Sequence, residues 1–476
     1  MQENEKEIQH YIFKFGGSCF KNAESFSRAL KILQNYQQYK ITIVCSAFMG
    51  VTDKLLELFD KRCNFEDAMS QVDDLKTYHE TLIAEVIPKS SEMHKRALDY
   101  IQMWVERLGD ALKRESGMCP ETELKDYVLS LGERLSTFTF SCYLAAMKFP
   151  AQFLSSDEII VTNAFFGSAL PDLDKTAGKV QAKILPILQE GKAAIVTGYY
   201  GMTESGKITT LGRGGSDFSA TIIAYCIEPK LSSKVIFWKD VDGLLSADPR
   251  IERRAKLLKH ISYAEAKELA AFGTKILYPL CLITLERQGI PAEIRNFAKP
   301  NSQKFTEISN LIEKKKEIVK AITSLPDISM VTLESQAMVS LPGTAAKLFS
   351  LLGDNHVNIV FISQASSENN ITFGVDRQDG HKTGELLRHS PHFGTHWFSV
   401  KIENDASLVA IIGAGMLHVP GVAGKLFSAL GKHAINVRAI TQGSSELNIT
   451  VIIARDDLEN AIHVLYETFI GNNGEE

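Results

Sequence analysis

The 476-residue chain is long enough for several domains, and with 45% hydrophobic and 23% charged residues its composition is that of an ordinary globular protein. A net charge of −5 gives no electrostatic reason to expect a nucleic-acid partner, and no apolar run approaches the roughly 18 residues of a membrane span, so neither partner is expected. The polar start "MQENEKEIQH" lacks the apolar core of a secretory signal, and seven cysteines without CxxC pairs read as reduced thiols, so a cytoplasmic protein is expected.

The first predicted strand runs into an unusual turn, "YIFKFGGSCFKN", residues 11–22. Lysine is rarely buried without a partner, so Lys14 at the end of an apolar run calls for an anion. Gly16, Gly17 and Ser18 before a helical pattern suit a backbone that approaches a phosphate closely. A tight turn with an exposed lysine is the plainer alternative, and the P-loop order GxxxxGK[ST] is absent. Cys19 reads as a packing residue.

Further strand-like runs follow: "ITIVCSA", "AQFLSS", "AAIVTGYY", "KVIFWKDV" and "PAEIRNF", up to about residue 300. Helical patterns such as "AESFSRALKILQNY" and "SDFSATIIAYCI" alternate with them, which predicts an α/β domain with a mainly parallel sheet. Residues 52–130 are charged and helix-forming and read as a helical insertion.

Small polar groups punctuate the strand ends. "CSAFMGVT" places Ser46, Gly50 and Thr52 where α/β sheets bind ligands. "SLGERLST" sets Glu133 and Arg134 in a helical run, which by itself reads as a surface pair. "TTLGRGGSDFSA" is more telling. Arg213 offers a planar fork for a carboxylate or phosphate, Gly214 and Gly215 allow backbone N–H groups to converge, and Ser216 is expected to cap the helix that Asp217 enters. In "FWKDVDGLLSADPRI", Asp240 and Asp242 suit ribose, water or a magnesium shell, and Lys239 and Arg250 suit phosphates. "AAFGTKILYP" adds Lys275 near a helix end, and "NFAKPNSQKFTEISN" reads as an interdomain link.

The C-terminal part is repeated. "PGTAAKLFSLLGDNHVNIVFISQASSENNIT" from Pro342 matches "PGVAGKLFSALGKHAINVRAITQGSSELNIT" from Pro420 without a gap, with about half the positions identical. Each copy reads as strand, Pro-Gly turn, amphipathic helix, two strands and a second helix, with proline near the first helical position. Exposed sheet edges in such units make dimerisation an expectation. "IIGAGMLHVPG" begins like a dinucleotide fingerprint, but His418 stands where the third glycine belongs, so it reads as a strand and turn of the repeat.

Six ordered motifs, "KFGGS", "CSAFMGVTD", "SLGERLS", "GRGGSDFSA", "WKDVDGLLSADPR" and "FGTKILYP", together with the paired repeats, resemble the aspartate kinases. The resemblance implies the amino-acid kinase fold, a three-layer αβα sandwich with a mainly parallel central sheet, over residues 1–300. It implies two ACT domains of ferredoxin-like βαββαβ topology over 325–400 and 401–476. The implied reaction is ATP plus L-aspartate to 4-phospho-L-aspartate plus ADP, the opening step of lysine, threonine and methionine synthesis, with Mg²⁺. The implied catalytic residues are Lys14 and Asp217, without a protein-only metal site. Gly16, Gly17, Ser18, Ser46, Lys239, Asp240, Leu245, Arg250, Lys275 and Ile276 would surround ATP. Thr52, Glu133, Arg213, Gly214, Gly215 and Ser216 would hold aspartate. The residues depart from the common pattern at Ser18, Lys239, Leu245 and Tyr278.

Gln364 and Gln442 recur at equivalent strand ends of the two repeats, as do Asn358 and Asn436. A buried amide needs partners, and threonine-sensing members resemble this pattern. Feedback inhibition, by threonine rather than lysine, and a homodimer or tetramer formed through the ACT domains are therefore expected. Relatives with such repeats often continue into a homoserine dehydrogenase, so this chain reads as monofunctional or as a fragment. Two other readings stay open: an amino-acid kinase for another carboxylate substrate, and a catalytically weak effector-binding protein that uses only its repeats.

Overall fold

The computed structural model describes residues 7–113, 121–272, 277–310, 317–335, 342–364 and 369–471. The chain divides into two compact units, one of residues 1–244, 259–263 and 275–312, the other of 245–258, 264–274 and 313–476.

The strands of the first unit are β1 (His10–Phe15), β2 (Lys40–Cys45), β3 (Ala151–Leu154), β4 (Val161–Thr162), β5 (Ala193–Thr197), β6 (Tyr200–Thr203), β7 (Ile208–Thr210), β8 (Ser233–Lys239), β9 (His260–Ile261), β10 (Ala292–Asn296) and β11 (Thr306–Ile308). Its helices are α1 (Ala23–Gln34), α2 (Val51–Asp60), α3 (Phe65–Val86), α4 (Glu92–Lys113), α5 (Glu121–Ala146), α6 (Leu173–Gln189) and α7 (Gly215–Ile227). Helix α8 (Tyr263–Ala271) begins in this unit and continues in the other, while α9 (Pro279–Gln288) belongs to the first. The stretch read as a helical insertion is built of α2, α3, α4 and the start of α5.

Eight strands form one sheet in the order β3-β5-β2-β1-β8-β10-β11-β9. Every pair is parallel except β10 with β11. All six runs read as strands in this region lie in it. β1 is interior, with Lys14 opposite Val44 on one side and Phe237 on the other. Alternation along a strand then fixes what each face meets. Phe13, Phe15, Ile43, Cys45 and Trp238 join the apolar core built with α1 to α5. Lys14, one residue out of step, emerges on the opposite face, where α7 packs on β1, β2 and β8.

Local chemistry sets the helix ends. Asn22 accepts from the Ser25 amide at 3.1 Å while Ser25 Oγ accepts from the Asn22 amide at 3.0 Å, a reciprocal cap that starts α1. Three short strands, β4-β6-β7, form a separate small sheet that carries the turn leading to Arg213.

The second unit holds the repeats. Its strands are β12 (Ala321–Glu334), β13 (Ile359–Gln364), β14 (Asn370–Asp376), β15 (Ser399–Ile412), β16 (Ala439–Thr441) and β17 (Asn448–Ala454). Its helices are α10 (Thr344–Asp354), α11 (Gly380–His389), α12 (Val422–Lys432) and α13 (Leu458–Tyr466). The strands make one antiparallel sheet, β13-β14-β12-β15-β17-β16. Both long strands serve both repeats. Ile328–Glu334 of β12 pairs with β14 in the first repeat, whereas Ala321–Leu325 runs beside Leu408–Ile412 of β15, next to the second repeat's β17. The register breaks between Leu325 and Met330, around Pro326.

Gly343 and Gly421, at φ of 87° and 88°, cap α10 and α12. Each proline therefore stands before the cap and not at the first helical position. Gly413 and Gly415 of the fingerprint-like stretch serve packing: an added Cβ would lie 2.4 Å from the Ile318 carbonyl oxygen and 2.2 Å from that of Glu317.

Residues 245–258 fold entirely within this second unit. Ala247 joins the core of the second repeat with Ile322, Val409, Leu426, Val451 and Leu465, and Ile251 and Ala255 pack against it. The Ile322 amide donates to the Ser246 carbonyl at 2.8 Å. Glu252, 2% exposed, accepts from Arg254 at 2.9 Å and pairs with His463 of α13 at 3.0 Å, and Tyr466 donates to the Arg254 carbonyl at 2.6 Å.

Candidate active site

The buried lysine of the first strand finds its anion inside the protein. Lys14 Nζ lies 2.7 Å from Asp217 Oδ1, and Lys239 Nζ lies 2.6 Å from Asp217 Oδ2. The two ammonium groups come from the carboxyl ends of neighbouring parallel strands, and the carboxylate from the first turn of α7. Burial alone would push the Lys14 ammonium down, yet the adjacent Asp217 carboxylate holds it above the ordinary lysine value. Burial likewise opposes ionisation of Asp217, but the two lysines hold it below the usual carboxylate range. Two cations share one anion, so the cluster keeps a surplus positive charge.

The glycine turn follows directly. An added Cβ at Gly17 would come within 2.7 Å of the Ala47 carbonyl oxygen, so this glycine lets the turn after β1 lie against the turn after β2. At Gly16 the same position lies 3.5 Å from Lys14 Nζ, an ordinary van der Waals contact, so the space itself does not demand glycine there. Ser18 is half-buried in the short 3₁₀ turn Gly17–Cys19. Ser46 closes β2 against β1 through its amide, which donates to the Phe15 carbonyl at 3.0 Å, and Thr52 stands in the first turn of α2 behind the left-handed Gly50. Cys19 is fully buried, with its thiol pushed up to about 12 by burial, which agrees with packing.

Glu133 and Arg134 are not the surface pair that their helical run suggests. Helix α5 is buried on nearly all sides, and both residues are under 5% exposed. Gly132 makes this possible, since an added Cβ would lie 2.8 Å from that of Ala47. Glu133 Oε1 accepts from Ser216 Oγ at 3.3 Å, and Oε2 has no hydrogen-bond partner. Burial raises its carboxyl to about 7 despite the hydrogen bond from Ser216 and the nearby Lys14 ammonium. Arg134 points elsewhere: its guanidinium sits between the rings of Trp104 and Tyr200 and donates to Ser155 at 3.1 Å and Asp157 at 2.8 Å.

Ser216 does not cap α7. Gly214 takes the cap at φ 71°, where an added Cβ would also strike Tyr278 at 2.5 Å. Ser216 is freed to face Glu133. Gly198 lets this first turn sit against the strand tips, because a Cβ there would lie 2.7 Å from that of Ser216. Arg213, two residues before Gly215, is exposed.

The structure thus brings Lys14 and Lys239 at strand ends, Ser216 and Asp217 in the first turn of α7, and Glu133 in the middle of α5 together in one unit. Asp240 is exposed just beyond β8, whereas Asp242 is taken up by Asn296, which donates to it at 2.7 Å. Leu245 and Arg250 belong to the second unit, where the Arg250 guanidinium is held by Asp248 at 2.6 Å. Lys275 and Ile276 lie outside the described residues. Asn358, Gln364, Asn436 and Gln442 are all exposed, so the argument from a buried amide does not hold for either glutamine. Sequence reasoning passed over Asp126 and Tyr199. The signal for Asp126 was its place two helical turns before Glu133, on the same face of α5.

A sequence profile of the amino acid kinase family matches residues 10–296. The chain belongs to the amino acid kinase family. ACT-domain profiles match 331–390 and 409–469. Among curated relatives, bifunctional aspartokinase/homoserine dehydrogenase 2 of Arabidopsis thaliana is 29% identical over 96% of this chain, and the chain spans 50% of that relative's length. Similar bifunctional relatives are likewise matched over about half their length. Lysine-sensitive aspartokinase 3 of Escherichia coli is 28% identical, with 96% of this chain and 98% of the relative covered. The structure of E. coli aspartokinase III in complex with aspartate and ADP superposes with a TM-score of 0.79 at 26% identity, covering 96% of this chain and 99% of that one. The mainly parallel sheet lies within the amino acid kinase match, and the two ACT matches fall on the two repeats.

Proposed function

We propose that the chain is an aspartate kinase, converting ATP and L-aspartate to 4-phospho-L-aspartate and ADP, the reaction that opens lysine, threonine and methionine synthesis. The observation that carries this reading is the buried Lys14–Asp217–Lys239 cluster, with its surplus positive charge, in the same unit as an incompletely partnered Glu133. The likeness to an aspartokinase solved with aspartate and ADP supports it.

The attacking group, a carboxylate, is already ionised at pH 7 and needs no general base. What remains is alignment of the two substrates and neutralisation of phosphate charge. Lys14 meets the transferring phosphoryl group and Lys239 a neighbouring phosphate, both held in place by Asp217. Glu133 pairs the substrate ammonium, and Arg213 forks onto a substrate carboxylate with Ser216 and Thr52 beside it. Magnesium usually takes one or two carboxylates plus phosphate oxygens. That donor set fits an ion that arrives with ATP. Asp217 is engaged by two lysines, so the exposed Asp240 is the carboxylate that would reach it; the ion supplies charge neutralisation on the phosphates.

Regulation through the ACT repeats by threonine, with Gln364 and Gln442 reading the effector, and assembly through those repeats complete the proposal. The test is ADP release from Mg-ATP with aspartate or glutamate, each with and without threonine or lysine. Turnover with aspartate, at least about 100-fold slower with glutamate, and inhibition by threonine are expected. Equal rates on both acids, or no turnover, would overturn the kinase reading. Inhibition by lysine alone, or a threonine curve unmoved by Gln364→Ala and Gln442→Ala, would overturn the effector assignment.

A further inference from the structure

Asp126 is a buried acid to which none of these roles gives a task. It is 1% exposed, two turns before Glu133 on α5, and its side-chain hydrogen bonds go to Gly167 in a loop and Thr210 at the end of β7. Oδ2 accepts the backbone amides of Gly167 and Thr210, each at 2.8 Å, and Oδ1 accepts the Thr210 hydroxyl at 2.8 Å. Thr210 is the last residue of β7, three before Arg213. Its carbonyl accepts the Ala169 amide at 2.9 Å, and an added Cβ on Gly212 would lie 3.1 Å from the Gly167 carbonyl oxygen. The loop 163–170 and the loop that carries Arg213 are therefore fastened to each other and, through one carboxylate, to the helix that carries Glu133.

Tyr199 closes the arrangement from the other side. Its carbonyl accepts the Leu211 amide at 2.8 Å. Its ring leaves room only for glycine at position 215, where a Cβ would come within 2.8 Å. Tyr199 holds a φ of 77°, a conformation uncommon for a residue with a side chain and kept only where the surroundings enforce it.

We propose that Asp126 is the positioning residue of the acceptor subsite: it sets Arg213 relative to Glu133 by holding Thr210 and Gly167, and touches no substrate itself. This rests on the reading of Arg213 and Glu133 as the aspartate-binding pair. What the position requires is hydrogen-bond acceptance, not charge. An asparagine there keeps one oxygen for the two amides, while its NH₂ donates to Thr210 Oγ1, a hydroxyl that can accept as well as donate. An alanine leaves all three donors without a partner.

The experiment measures KM for aspartate, KM for ATP and kcat, with thermal melting, for Asp126→Asn, Asp126→Ala and Thr210→Val. Asp126→Asn is expected within threefold of wild type in all three constants. Asp126→Ala is expected to raise KM for aspartate at least tenfold while KM for ATP changes less than threefold. Thr210→Val, which removes one contact and keeps the shape, should raise KM for aspartate three- to tenfold. Both Michaelis constants rising together, or an unchanged aspartate KM, would overturn the proposal. Should Asp126→Ala fail to fold, Thr210→Val decides, and an aspartate KM within twofold of wild type counts against it. Wild-type protein inert towards aspartate would instead sink the kinase reading, a result distinguishable at the first assay.

Discussion

Each unit contains an acidic side chain gripped by two basic side chains, and the two grips differ in kind. Asp217 in the first unit meets two lysines from separate strands, and the three side chains are 7%, 7% and 17% exposed. Glu252 in the second unit is as deeply placed, but its partners Arg254 and His463 are about half exposed, at 56% and 49%. Withdrawing two ammonium groups from water around one carboxylate is costly and leaves positive charge uncompensated. Such an arrangement is a poor way to stabilise a fold and a good way to keep a site ready for a polyanion. The Glu252 cluster, whose basic partners stay about half exposed to water, instead fastens the loop 245–258 to α13.

Predictions that break or sharpen this contrast run from large effects to small. Asp217→Asn strands two buried ammonium groups and should cost about 3–5 kcal/mol of stability together with activity, read by denaturant unfolding. Lys14→Met removes the surplus charge and leaves a balanced Asp217–Lys239 pair. It should lower kcat at least about 100-fold while melting within a few degrees of wild type. A large loss of stability there would mean that the cluster is structural after all.

Glu133→Gln is expected to do opposite things to function and stability. The folded carboxyl is raised to about 7 from an ordinary 4.5, so the unfolded chain ionises first and wild type loses stability as pH rises between those values. The variant escapes that loss. It should melt higher than wild type at pH 8, by an amount on the order of 1–3 kcal/mol, and the gap should close towards pH 5. Its KM for aspartate should rise at least tenfold, and in wild type that KM should fall as pH climbs through 7, where Glu133 becomes able to pair an ammonium group.

Glu252 behaves with the other sign. Hydrogen bonds from Arg254 hold its carboxyl at about 2, below the ordinary 4.5, so the stability it contributes is present above 4.5 and drains away as pH falls towards 2. Glu252→Gln should cost about 1–3 kcal/mol at pH 7 and nothing measurable at pH 2. His463→Ala, which removes a half-exposed partner, should cost under about 1 kcal/mol.

The residues announced much of this. Six β-branched or aromatic runs became strands of one sheet because burial on both faces selects such runs whatever the helices around them. Lys14 was legible as a cation in search of an anion, and Asp217 as the first-turn acid of a glycine-led helix. Their meeting was not, since it depends on which face of β1 carries α7. Glu133 and Arg134 read as a surface pair because α5 is buried all round and lacks the polar stripe that would have marked an inside and an outside. Arg134 is held by Trp104 and Tyr200, and Asp126 by Thr210 and Gly167, all far along the chain, and no local pattern reports such pairings. The small sheet β4-β6-β7 escaped notice because its strands are two to four residues long, too short for alternation to register.

The shared strands of the second unit carry a further consequence. The repeat ends near residue 400 in the sequence, yet neither copy is a removable cassette. A fragment beginning at Ile328 would strip Ala321–Leu325 from the flank of β15, and one ending at Glu403 would leave those same residues with nothing to pair. The duplicated halves are interlocked, so a change at either end of β12 is felt by both, and they must unfold as one body.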